Sequence, residues 1–145
     1  MEEVDIPFYF HPNVQEQAVR IKLKTVSKEQ VISQSDFISL HVPFNEGDKA
    51  VICENEIAQM KKGVGIVNCA RGGVVDETAL VNALDNGQVA FAGLDVFVKE
   101  PPVAGPLFQK KNISLSSHIG GSTQEAQNRI GIELAEKIME AWKGM

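Results

Sequence analysis

The sequence predicts an α/β fold, a mostly parallel sheet with flanking helices. Two observations carry this. The stretch Val64–Asp95 reads strand, turn, helix, turn, strand, and short apolar runs alternate with helix-patterned segments along the rest of the chain. Val64–Ala70 is rich in β-branched residues, the pattern of a strand buried on both faces. Arg71 follows it, and Gly72-Gly73 breaks the extended chain. Asp76 is placed to cap a helix over Glu77–Leu84, with Ala79, Leu80, Ala83 and Leu84 on one stripe. Asn86-Gly87 stops that helix. Val89–Leu94 is a second apolar strand with Asp95 at its end. A βαβ unit makes its two strands parallel, with a right-handed crossover. Arg71 and Asp95 then stand at the carboxyl ends of neighbouring strands, the edge where open α/β sheets bind ligands.

The remaining elements follow in order. Residues 1–20 form an irregular start, because Pro7 and Pro12 make Val4–Phe10 a poor central strand. Asp5 and His11 fall in this stretch and read as surface or loop residues. Residues 21–121 hold the sheet and its helices. Arg20–Val26 alternates charged and apolar residues, as a half-exposed strand near an edge does. Ser27 and Gln30 form a capping box for a short helix through Ser33. Ser35–Pro43 is the next buried strand, ending in His41 and terminated by Pro43. His41 has two readings here, a residue beside a ligand or a strand cap with a satisfied ring nitrogen. Phe44–Ala50 is a loop with an Asn-Glu-Gly turn, and Asn55–Met60 a short helix stopped at Lys62-Gly63. After Asp95, Val96–Pro102 leaves the sheet as a proline-stiffened loop, with one turn near Leu107-Phe108. Asn112–Ser117 is a strand ending at His118, and Ile119-Gly120-Gly121 turns the chain. Ser122 or Thr123 caps a final helix within residues 122–144. Its stripe is Ala126, Ile130, Leu134 and Ile138, with Trp142 one turn beyond.

The chain has 145 residues, enough for one ordinary domain. It is 43% hydrophobic and 23% charged, with a net charge of −5, so it reads as a soluble globular protein without the basic stripe of a nucleic-acid binder. No apolar run approaches a membrane span, and the first residues lack the pattern of a secretory leader. The expected location is cytoplasmic. Cys53 and Cys69 form no metal or CxxC spacing, and the three histidines are scattered, so no metal site is expected. Neither a nucleophile elbow nor a P-loop occurs.

The chemistry must therefore come from four ionisable residues that follow buried strands: Arg71, Asp95, Glu100 and His118. Adjacent parallel strands would bring them to one edge. An arginine fork suits a substrate carboxylate, and a histidine suits proton transfer near neutrality. A carboxylate beside that histidine holds the imidazole in one orientation and favours its charged form. Proton transfer beside a bound carboxylate points to a 2-hydroxy or 2-keto acid. Each residue alone has a plainer reading: Arg71 as a turn charge, Glu100 as a loop acid, His118 as a strand cap.

Four stretches, SDFISLHVP (Ser35–Pro43), MKKGVGIVNCARGGVVDETAL (Met60–Leu80), GQVAFAGLDVFVKEPP (Gly87–Pro102) and SSHIGGSTQEA (Ser116–Ala126), resemble in order the signatures of the D-isomer-specific 2-hydroxyacid dehydrogenases. The resemblance covers roughly Val26–Trp142. It implies a Rossmann-type sheet and NAD as cofactor. It also implies a catalytic set in which Arg71 binds the substrate carboxylate, His118 is the general acid/base and Glu100 pairs with His118. Asp95 would bond the nicotinamide carboxamide. His41, Val42, Pro43, Cys69, Ala70, Arg71, His118 and Gly120 would line the cofactor, and Gly121 would help the chain pass close to it. Glu100 separates the chain from the formate dehydrogenase branch, which carries glutamine there. A homodimer and a small 2-hydroxy or 2-keto acid substrate are implied, with 3-phosphoglycerate, and so serine biosynthesis, the leading expectation.

The resemblance departs from its pattern at one place. No G-x-G-x-x-G turn occurs, and that turn with its helix N-terminus would hold the cofactor pyrophosphate. The expectation is a partial NAD-binding domain over residues 1–145 that lacks the first βα unit. Its last helix would return toward a substrate domain outside this sequence. An exposed sheet edge and helix stripe would then favour self-association. Several readings stay open: phosphoglycerate dehydrogenase activity, hydroxypyruvate or glyoxylate reduction, a corepressor-like NAD(H)-sensing module, and an inactive fragment.

Overall fold

The computed structural model describes residues 25–45 and 47–144. The expectations for Asp5, His11 and most of the Arg20–Val26 strand lie outside these residues. In chain order the elements are α1 (Lys28–Gln34), β1 (Phe37–Leu40), α2 (Glu54–Gln59), β2 (Val64–Asn68), α3 (Glu77–Asp85), β3 (Val89–Leu94), a 3-10 turn (Pro106–Gln109), β4 (Ile113–Leu115) and α4 (Gln124–Lys143). The described strands form one parallel sheet in the order β1-β2-β3-β4. Parallel neighbours in sequence order need a crossover each. Two are helical, α2 between β1 and β2 and α3 between β2 and β3, as the apolar periodicity requires.

The expected caps form. Ser27 and Gln30 close a capping box on α1. Asp76 accepts from the Ala79 amide at 2.9 Å at the start of α3, and Asn86 ends it, with Gly87 at a φ of 73°. Gln88 answers a need not visible locally. Its side-chain amide donates to the carbonyls of Ile57 and Met60, satisfying the end of α2.

Register places Ile38, Ile66 and Ala92 in one row, and Leu40, Asn68 and Leu94 in the next. These residues are buried, and Ile32, Ile57, Leu80, Ala83 and Leu84 of the helices complete the core. The other face carries Phe37, Gly65 and Phe91 in register, the two rings 5.7 Å apart above the glycine. A Cβ on Gly65 would fall 2.5 Å from the Phe91 ring, so the pair needs a glycine beneath it.

Two expectations need correction. The Ser35–Pro43 strand is shorter, Phe37–Leu40, and only one of its faces is buried; Phe37 is 71% exposed. It is an edge of the described sheet, and Pro43 has no amide to extend the ladder. His41, Val42 and Pro43 thus lie in the loop beyond it. The last strand is likewise short, Ile113–Leu115, and leaves His118 three residues past its end. The final helix exposes Ile130, Leu134 and Ile138 of its stripe and leaves Ala126 half-buried. No residue of α4 is buried, and Trp142 is 78% exposed. Thr123, rather than Ser122, caps it.

Candidate active site

The four strands deliver the candidate residues to one edge, because all four run the same way and each candidate follows a strand's carboxyl end. His41, Val42 and Pro43 follow β1; Cys69, Ala70 and Arg71 follow β2; Asp95 follows β3; His118 and Gly120 follow β4. A cavity of about 860 Å³ at this edge is lined by Arg71, Glu100 and His118 together with Phe44, Glu77 and Phe97.

Arg71 is presented by a turn that Asn68 builds. The buried Asn68 side chain donates to the Arg71 carbonyl at 3.0 Å and accepts from the Ala70 amide at 3.1 Å. A short parallel bridge, Ile52 to Val75, braces the far side of this turn. The guanidinium donates to the Ala70 carbonyl at 2.7 Å and takes part in no ion pair among the described residues. The rest of its fork is free for an anion. Gly72 is required by packing: a Cβ there would lie 1.8 Å from the Phe97 carbonyl oxygen. The Arg71 turn and the loop carrying Glu100 are therefore in direct backbone contact.

His118 is held from two sides. Its Nδ1 lies 2.7 Å from Glu100 Oε2, with the side chains 47% and 36% exposed. This leaves Nε2 as the ring atom for exchange with a ligand. Its backbone has a φ of 55°, a conformation that costs a non-glycine residue on the order of 1 kcal/mol or more. Asp95 fixes that conformation. Its carboxylate accepts from Ser116 Oγ at 2.7 Å, from the Ile119 amide at 2.9 Å and from the Gly120 amide at 2.8 Å. Burial alone would raise the Asp95 carboxyl, but these three donors, with His118 nearby, outweigh it and hold the group below its ordinary value. Glu100 is also held below its ordinary range, first by the hydrogen bond from His118 and then by the Phe97 amide, which donates to Oε1 at 3.0 Å. Both carboxylates stay charged in the neutral range.

The structure thus gathers Arg71, Glu100 and His118 around one cavity and gives Asp95 a place beneath the His118 loop, outside the cavity lining. His41 is exposed, with Nε2 2.7 Å from Ser39 Oγ. Cys69 is an exposed free thiol. Sequence reading missed Asn68, Phe44 and Glu77. Asn68 interrupts an apolar run directly before the turn, which was the available signal; Phe44 and Glu77 carry none, since their partners are distant in sequence. Among the described residues no group of His, Cys, Asp and Glu is placed to hold a metal, and no helix is long and apolar enough to cross a membrane.

β1 to β4 end side by side at this edge, the place where an open parallel sheet takes a dinucleotide. Gly120 lets the backbone pass close to Asp95, since a Cβ there would stand 3.0 Å from Oδ2. Among the described residues, no glycine-rich turn opens a helix toward the pyrophosphate.

Comparison with known proteins points the same way. Residues 3–120 match the family model described as D-isomer specific 2-hydroxyacid dehydrogenase, NAD binding domain. D-3-phosphoglycerate dehydrogenase 2, chloroplastic, of Arabidopsis thaliana is 50% identical over 120 residues, 82% of this chain and 19% of that protein. The hydroxypyruvate reductase of Thermotoga maritima is 47% identical over 123 residues, 83% of this chain and 40% of that protein. Among solved structures, a glyoxylate reductase from Paecilomyes thermophila superimposes with a TM-score of 0.73 at 37% identity, over 92% of this chain and 39% of that one. The chain spans well under half the length of each.

Proposed function

From a chain that belongs to the D-isomer specific 2-hydroxyacid dehydrogenases, through their NAD-binding domain, we propose a role in the NAD-dependent oxidation of a D-2-hydroxy acid to the 2-keto acid, with 3-phosphoglycerate as the substrate. The observation that carries the reading is the Glu100–His118 pair facing the same cavity as the free face of Arg71. Arg71 holds the substrate carboxylate through its remaining donors and draws electron density from the neighbouring C2 oxygen. His118 Nε2 takes the C2 hydroxyl proton as the C2 hydrogen departs as hydride, and returns it in the reverse direction. Glu100 orients the imidazole through Nδ1. NAD supplies the hydride acceptor when bound. Asp95 keeps the His118 loop in place beneath the site.

The phosphoglycerate assignment is supported by identity to phosphoglycerate dehydrogenases from several organisms. Reduction of hydroxypyruvate or glyoxylate is a second reading, favoured by the likeness to the Thermotoga and Paecilomyes reductases. Homodimer formation through this domain belongs to the same proposal.

The test is NADH consumption, followed by absorbance, with 3-phosphohydroxypyruvate, hydroxypyruvate and glyoxylate offered separately. Preference for the phosphorylated acid, with turnover abolished in His118→Ala, is the expected result. Preference for either unphosphorylated acid selects the second reading. Turnover that survives His118→Ala refutes the assignment of the base.

A further inference from the structure

We propose that Glu77, the first residue of α3, is a positioning residue that holds the Val96–Glu100 loop so that Glu100 meets His118. The consequence for catalysis rests on the function proposed above; the positioning itself does not.

The loop leaves β3 at Asp95 and must deliver Glu100 across to the His118 loop. Its first part is secured by burial: Val96 and Phe97 are buried, and the Phe97 ring stacks on Phe108 with centroids 5.9 Å apart. The Phe97 carbonyl is wedged against Gly72. From Val98 onward burial ends, since Val98, Lys99 and Glu100 are exposed. There two carboxylates take over. Glu100 Oε1 accepts from the Phe97 amide at 3.0 Å, and Glu77 Oε1 accepts from the Val98 amide at 2.8 Å. The first bond is internal to the loop and closes it on itself. The second ties it to the rest of the molecule.

Glu77 is a firm anchor. It begins a helix whose start is fixed by Asp76, which accepts from the Ala79 amide at 2.9 Å and donates its own amide to the Ile52 carbonyl at 2.9 Å. Glu77 is itself half-buried and lines the cavity with Glu100 and His118. A plainer role is that of a negative charge at a helix N-terminus, which stabilises the helix dipole. That role would be met by a carboxylate aimed at solvent or at its own first turn. It does not account for a bond to an amide 21 residues further along the chain. The two roles separate chemically. Glutamine loses the charge but keeps an oxygen that accepts from an amide; alanine loses both.

The experiment compares the full chain with Glu77→Gln and Glu77→Ala by NMR, reading amide exchange at Val98 and the titration of the Glu100 carboxyl carbon. In the parent chain the Val98 amide is expected to be protected despite its exposed side chain, and Glu100 to titrate below the ordinary 4.5. In Glu77→Ala the Val98 amide should exchange about tenfold faster, the loss of one hydrogen bond, and the Glu100 midpoint should rise toward 4.5. Glu77→Gln should keep both near the parent values. The proposal is overturned by an unprotected Val98 amide in the parent chain, by an unchanged Glu100 midpoint in folded Glu77→Ala, or by Glu77→Gln behaving like Glu77→Ala. If Glu77→Ala does not fold, the parent exchange rate and Glu77→Gln decide. None of these readouts uses turnover, so an inactive chain would sink the functional reading and leave this one standing. In active protein, Glu77→Ala should lower kcat with little change in KM.

Discussion

Asp95 and Glu100 stand five residues apart on the same loop, and both contact the segment that carries His118, but they are built differently. Asp95 is 5% exposed and gives its oxygens to one hydroxyl and two backbone amides, all from the Ser116–Gly120 turn. Glu100 is exposed, bonds one amide of its own loop, and gives its other oxygen to the imidazole. The buried carboxylate shapes a backbone, and the exposed one addresses a side chain. Under the proposed function both are needed: Asp95 holds a histidine at positive φ, and Glu100 orients its ring.

Removing Asp95 is the strongest way to break this contrast. Asp95→Ala strands two amides and a hydroxyl, at about 1 kcal/mol each, so urea unfolding should show a loss of roughly 3 kcal/mol together with loss of the Glu100–His118 contact. Glu100→Gln should lower the unfolding midpoint far less than Asp95→Ala, while lowering turnover about 100-fold or more. Ser116→Ala removes one of the three donors and should cost about 1 kcal/mol, without moving the Glu100 titration.

The pH response sharpens the contrast. Both carboxyls are depressed in the folded chain, so each contributes stability above its ordinary value, 3.8 for Asp95 and 4.5 for Glu100, and that contribution is lost as pH falls through the folded value. Because His118 is the first cause of the Glu100 shift and the last of the Asp95 shift, His118→Ala should raise the Glu100 midpoint more than the Asp95 midpoint in a carbon-detected titration. The smallest effect is expected far from the edge. Trp142→Ala on the exposed α4 should change stability by no more than about 0.5 kcal/mol.

The parts legible in the sequence were those written in neighbouring residues. The β2–α3–β3 unit announced itself through an apolar run, Asp76 as cap and Asn86-Gly87 as stop, and the structure holds each of them. Parallel order followed from the same alternation. Contacts between distant segments were not legible. Gly72 reads as a turn glycine, and only the fold shows the Phe97 carbonyl against it. Glu77 reads as a helix-start charge, and only the fold aims it at Val98. Asp95 could be set at a strand end from pattern alone, but the three bonds by which it supports the His118 turn depend on how β3 and β4 align. The length of β1 is not legible, because an apolar run does not show where its ladder with β2 ends.

Under the proposed function, nicotinamide and acid meet at the edge where these strands end. An NADH titration followed by backbone amide NMR tests it most directly. Saturable shifts are expected at Val42, Ala70, Arg71, Asp95, His118 and Gly120, with a further shift at Arg71 when a D-2-hydroxy acid is added. Shifts clustered elsewhere on the molecule, or no shifts up to millimolar NADH, would contradict it.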